Sequence, residues 1–216
     1  IKLLKEQFAV DFSCSVSGLE NNFFVTNKSD LETRYWARDK GSIVCFNGNL
    51  FVRTENEALT QELQELYQDK NSDWFFEMDN LEKITTILKK YELKITRLAP
   101  FFVPKDKLEL TVTNDSRFVF FNQEETQQFK VDKRITEAFC YSKTDPDKIG
   151  LGFYEDNALQ AVCGANRIGK YTWELGIEIL NPEFEGQGIA AKLIQNITAK
   201  IQQGYPDVLP VYGTAF

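Results

Sequence analysis

The residues best placed for chemistry lie between 171 and 201, in YTWELGIEIL followed by NPEFEGQGIAAKLIQNITAKI. Gly186 and Gly188 stand at the entrance of a segment whose Ile189, Leu193, Ile194, Ile197 and Ile201 recur at helical spacing. A helix entrance presents unpaired N–H groups and the positive end of the dipole, so it can hold a phosphate. Two glycines there let a bulky anion approach the backbone closely. Upstream, Glu174 and Glu178 alternate with Trp173, Leu175, Ile177 and Ile179, the two-residue period of a strand. The two carboxylates therefore share a face, and in such a pair the pKa of one member is raised, as a general base requires. Tyr212, further on, is a candidate proton donor. Each has a plainer reading: a solvated polar face for the glutamates, packing for Tyr212, and an inert buried thiol for Cys163.

The chain has no histidine. That removes Ser-His-Asp and Cys-His catalysis and histidine-ligated metal sites. Proton transfer then falls to Glu, Asp, Tyr, Cys, Lys or water. The four cysteines, Cys14, Cys45, Cys140 and Cys163, form no CxxC pair and read as reduced, mostly buried thiols. No metal site is expected.

The elements that must position these residues follow from the punctuation around them. Asn181 and Pro182 end the strand, since proline has no N–H for a ladder. Before it, residues 149–155 and 158–165 flank Asp156 and Asn157 as a hairpin. Residues 208–214 form a last short strand, interrupted by Pro210, after the helix. Residues 108–113 and 118–121 read as strands, and 124–129 and 135–141 as short helices or irregular structure. Pro104 to Lys107 is the boundary candidate, giving domains 1–104 and 105–216.

In the first domain, residues 2–12 and 30–38 read as short helices, the second capped by Asp30. Asn47 and Gly48 join strands 42–46 and 50–53 into a hairpin. Residues 56–67 read as a helix, and Trp74, Phe75 and Phe76 as a buried strand, with Trp74 and Trp173 in the core. Asp79 and Glu82 suggest a capping box for a helix bearing Leu81, Ile84, Leu88 and Tyr91. Residues 93–98 read as another strand. Such alternation predicts an α/β unit, and the whole chain is expected to be α/β with a mixed sheet.

Composition bounds the rest. The 216 residues are 43% hydrophobic and 26% charged, ordinary for a globular protein. The net charge of −7, with no dense Lys/Arg run, argues against nucleic acid as a partner. No apolar run spans a bilayer and no signal segment opens the chain, so no membrane partner and a cytoplasmic location are expected. Asn27, Asn114 and Asn196 open Asn-x-Ser/Thr triplets, read as chance. The absence of an initiator methionine reads as a trimmed chain.

Three readings of the glycine turn compete. Gly186, Gly188 and Ala191 fit the dinucleotide pattern G-x-G-x-x-A, but residues 181–185 separate the strand from the first glycine, which that pattern does not allow. A triphosphate loop needs Lys-Ser/Thr after the second glycine, and Ile189 and Ala190 stand there. The third reading is a resemblance. Glu185, Gly188 and Ala190, after the lead-in NPEF, resemble the Arg/Gln-x-x-Gly-x-Gly/Ala signature of the GNAT acetyltransferase superfamily. The hairpin LGFYED/ALQAVCGA is similar to the strands that precede the central strand there. The resemblance covers residue 108 to the C-terminus.

What it implies is an acyl-CoA-binding domain behind a smaller α/β domain. Backbone N–H groups of Gly186, Gln187, Gly188, Ile189, Ala190 and Ala191 would hold the diphosphate of acetyl-CoA. Backbone groups near Ile179 and Leu180 would pair with the pantetheine amides as an added strand. An acetyl group would pass from acetyl-CoA, the cosubstrate, to a primary amine of a small molecule or peptide by direct attack, with Glu174 or Glu178 as base. A homodimer is left open. Glu185 departs from the pattern by charge, and the sequence stops about where the family's last helix is expected to begin, which reads as a disordered or cut tail or an incomplete site. The competing reading is an inactive acyl-CoA-binding sensor or scaffold.

Overall fold

The computed structural model, which describes residues 1–105 and 110–213, divides at Ala99 into two units. In the first, α1 (Lys2–Asp11) precedes β1 (Phe23–Thr26), β2 (Gly41–Phe46) and β3 (Asn49–Thr54), which are followed by α2 (Glu57–Tyr67) and α3 (Met78–Lys90). The sheet order is β1-β3-β2, with β1 parallel and β2 antiparallel to β3. Alternation along β3 explains the layering. Leu50 and Val52 join Leu59, Leu63, Ile84 and Ile87 from α2 and α3 in one core. Phe51 points the other way, where its ring meets Phe8 and Phe12 of α1 at 5.6 and 5.8 Å.

The second unit holds a six-stranded sheet in the order β4-β9-β8-β7-β6-β5. The strands are β4 (Phe101–Phe102), β5 (Phe118–Asn122), β6 (Asp147–Glu155), β7 (Ala158–Arg167), β8 (Thr172–Ile179) and β9 (Leu209–Gly213), with α4 (Ile189–Gly204) between the last two. All pairs are antiparallel except β8 with β9, which the α4 crossover makes parallel. Leu193, Ile197 and Ile201 of α4 pack on Leu151, Cys163, Trp173 and Leu175. The opposite face carries Val162 beneath Phe129, Ile135, Ala138 and Phe139. The chain is thus α/β with mixed sheets. No helix among the described residues is long and apolar enough to cross a membrane.

Both hairpins form as their turn residues require, with positive φ at Asn47 and Gly48 and at Asp156 and Asn157. Several expectations fail for identifiable reasons. Residues 30–38 are not an α-helix. Asp30 Oδ1 accepts from Glu32 N and Thr33 N, and only Tyr35–Ala37 forms a 3-10 turn, because Arg34 is drawn into the core. Trp74, Phe75 and Phe76 are not a strand. A 3-10 turn over Ser72–Trp74, capped by Asn71, buries Phe75 alone and leaves Trp74 69% exposed.

The Asp79/Glu82 capping box is absent, since α3 already starts at Met78 with Glu77 at the cap position and no side-chain cap bond. Residues 93–98 form no strand; with no ladder partner, Ile95 stays 40% exposed. Part of the expected strand 108–113 lies outside the described residues, and 110–113 is irregular. Residues Glu125–Val131 are 3-10 helical, and 135–141 is an irregular strap. Of the cysteines, which are all free, only Cys163 is fully buried, and Cys140 is exposed.

Candidate functional site

The loop from β8 to α4 is built by three side chains. Asn181 Oδ1 accepts from Glu183 N at 3.1 Å, and its Nδ2 donates to Gln160 Oε1 at 3.0 Å. Pro182 opens a 3-10 turn, where its missing N–H costs nothing. Phe184 then plugs the loop onto the sheet, edge-on to Phe153 at 5.5 Å. The chain turns through Gly186 (φ 72°) and Gly188 (φ 76°), and a Cβ at either would meet nothing within 4 Å. Both need the left-handed region that glycine alone adopts cheaply. The bend is therefore open rather than filled.

Gly188 caps α4 without any side-chain bond, and the first helical turn holds no acidic residue. The first helical bond runs from Lys192 N to Gly188 O. The N–H groups of Ile189, Ala190 and Ala191 precede it and lie at the positive end of a 16-residue helix. The Gln187 amide folds back onto Glu183 O at 2.6 Å. Glu185 is exposed beside the turn.

The second feature of the site is the parting of β8 from β9. Their pairing covers only Thr172↔Leu209, Trp173↔Pro210 and Glu174↔Val211. β9 then turns to β4, with Tyr212 opposite Phe102. β8 continues for five residues to Ile179 with, among the described residues, no strand on that side. Leu180 N donates to Gln160 O at 2.7 Å on the β7 side, and Tyr171 O accepts from Leu209 N on the β9 side. Main-chain direction alternates along a strand, so Leu175, Ile177 and Ile179 turn their backbone groups into the gap. Leu180 differs from expectation here: its N–H is committed to β7. The gap runs about 17 Å from Ile179 to Glu174 at the usual rise of about 3.3 Å per residue.

Glu174 and Glu178 do share the face away from α4, but they differ in setting. Glu174 lies at the vertex where the strands part, with Oε1 close to Gly213. Glu178 is engaged by the strap: Oε1 accepts from Thr136 N at 2.5 Å and Thr136 Oγ1 at 2.9 Å, and Oε2 from Ala138 N at 3.2 Å. Tyr212 packs against the core on the α4 side, so the structure does not bring it to the glutamate face. Burial pushes the thiol of Cys163 up, in keeping with an inert role. Among the described residues no group of three or more His, Cys, Asp and Glu side chains is placed to hold a metal ion.

Sequence reasoning missed Gly176, Gly164, Thr136 and Ala138, which join the strap to the sheet. A glycine at a strand interior marks close backbone approach, and that was the available signal.

No family model matches the chain, and no curated protein matches it. Similar solved structures include the crystal structure of a protein assigned to the GNAT family of acetyltransferases from Novosphingobium aromaticivorans DSM 12444. It is 15% identical, with a TM-score of 0.37, over 56% of this chain and 59% of that one. The match thus spans about three fifths of that protein's length. At that level the likeness assigns neither family nor activity.

Proposed function

We propose that the unit from Pro100 onward is an acetyl-CoA-dependent N-acetyltransferase acting on a primary amine of a small molecule or peptide in the cytoplasm. The observation that carries this reading is the parting of β8 from β9 at Glu174, beside an open glycine bend at the α4 entrance. The N–H groups of Ile189, Ala190 and Ala191, with the backbone of 186–188, receive the diphosphate. The pantetheine amides pair with the backbone of Leu175, Ile177 and Ile179, as an added strand does. The thioester end then falls near the vertex at Glu174.

The amine nitrogen attacks the thioester carbonyl carbon, a C–N bond forms, and the C–S bond breaks. Glu174, directly or through one water, takes the proton that the nitrogen loses. The departing sulfur takes a proton from solvent. Backbone N–H groups at the vertex face the developing oxyanion. No histidine is required, in keeping with a chain that has none.

Glu185 favours a second reading, an acyl-CoA-binding module without turnover, because its charge opposes the diphosphate. In water that repulsion is only about 1 kcal/mol at 4 Å, so it weakens binding without abolishing it. Calorimetry with acetyl-CoA tests both readings. Gly188→Glu puts bulk and charge into a bend that requires positive φ, and affinity is expected to fall on the order of 100-fold. Circular dichroism of the variant checks that it is folded. Absence of wild-type binding would refute both readings. Binding with no thiol release across a panel of primary amines would select the second.

A further inference from the structure

The half-buried carboxylate of Glu178 is already engaged by neighbouring donors. It accepts three hydrogen bonds from the strap, two at Thr136 and one at Ala138 N. Beneath that clamp the strap backbone lies directly on two glycines. A Cβ on Gly176 would come within 2.0 Å of Glu137 O, and one on Gly164 within 2.0 Å of Ala138 O. At its far end the strap is tied again, Cys140 N and Tyr141 N donating to the buried Asp147 carboxylate at 3.0 and 2.9 Å. Phe139 stacks on Phe129 at 5.5 Å and completes the attachment.

This placement matters because the other face of β8 packs toward α4. Trp173 and Leu175 are covered there by Leu193, Ile197 and Ile201 of α4. A nucleophile approaching Glu174 from the glutamate face passes the strap, where Thr136 and Glu137 are exposed.

We propose that Glu178 is a positioning residue: it clamps residues 136–138 onto β8 and so fixes one wall of the amine site. The role rests on the acetyltransferase reading, while the clamp itself does not. The test compares wild type with Glu178→Gln and Glu178→Ala. Amide hydrogen exchange reads the clamp without any activity. Gln keeps an oxygen for Thr136, but its NH2 cannot accept from Ala138 N. In Glu178→Gln exchange is expected to rise about tenfold at Ala138 and little at Thr136, and in Glu178→Ala at both. Equal exchange in all three proteins overturns the clamp. Should Glu178→Ala not fold, the contrast between the two amides in Glu178→Gln decides alone.

Kinetics on whichever panel amine the wild type acetylates reads the wall. KM for that amine is expected to rise about tenfold in Glu178→Ala and less in Glu178→Gln, with the pH–rate profile retained. Loss of the acidic limb of that profile, on which a carboxylate base takes up its proton, or a kcat loss with KM unchanged, would make Glu178 a base and overturn the positioning role. Affinity for acetyl-CoA is measured in parallel. If wild type binds none, the acetyltransferase reading fails and the wall role falls with it, while the clamp stands or falls on exchange.

Discussion

The fate of a polar side chain here is decided by what lies across from it. Glu174 and Glu178 are equivalent by strand period, yet one stands at the parting of two strands and the other holds a strap. Tyr141 shows the same logic with a hydroxyl. Its backbone sits at φ 50°, and its buried OH has no hydrogen-bond partner among the described residues. Burial, with the Asp147 and Glu178 charges behind it, pushes the phenol up to about 12 from the ordinary 10.0. Between those two values the folded chain holds a proton that the unfolded chain releases, so stability is retained below pH 10 and falls as pH rises toward 12. Tyr141→Phe removes an unsatisfied buried group. At pH 7 it is expected to leave stability unchanged or raise it by about 1 kcal/mol. Thermal melts from pH 9 to 12 should decline less steeply in the variant, and an equal decline would contradict this account.

At the scale of elements, the α4 entrance depends on the short loop that delivers it. Asn181 caps the 3-10 turn and ties it to Gln160 of β7, and Phe184 anchors it on Phe153. Asn181→Ala removes both polar ties and is expected to cost about 1 kcal/mol, read as a shift in the urea midpoint. The strand-loop-bend-helix order was legible in the sequence because each part rests on local rules. These are a period of two, a proline stop, glycines with positive φ and a period near 3.6. The strap was not legible. Residues 135–141 have no period, and their shape comes from Glu178, Asp147 and two glycines on other elements.

At the scale of the whole molecule, the chain divides at Ala99 into two compact units. The first unit includes a buried ion pair, Arg34 Nε to Asp11 Oδ2 at 2.7 Å, with the guanidinium 4.1 Å from the Trp36 ring centre. Asp11 also accepts from Gln7 Nε2 and Arg34 N. Removing one partner leaves a buried charge uncompensated, so Asp11→Ala is expected to destabilise this unit by about 3–5 kcal/mol. Hydrogen exchange over residues 2–99 would report it, and an unchanged pattern there would contradict the assigned weight.

By itself the sequence determined what neighbours in the chain can decide. That includes both tight hairpins, α2 and α4, the open glycine bend, the α/β class and a chemistry without histidine. Only the tertiary structure decided that β9 leaves β8 at Glu174, that Glu178 is occupied by the strap, that Tyr212 faces the α4 core, and that Trp74 lies outside the core. The reason is physical. Periodicity and turn chemistry act within a few residues, whereas strand parting, close backbone approach and buried pairing are set by groups distant in sequence, and neither period nor composition records them.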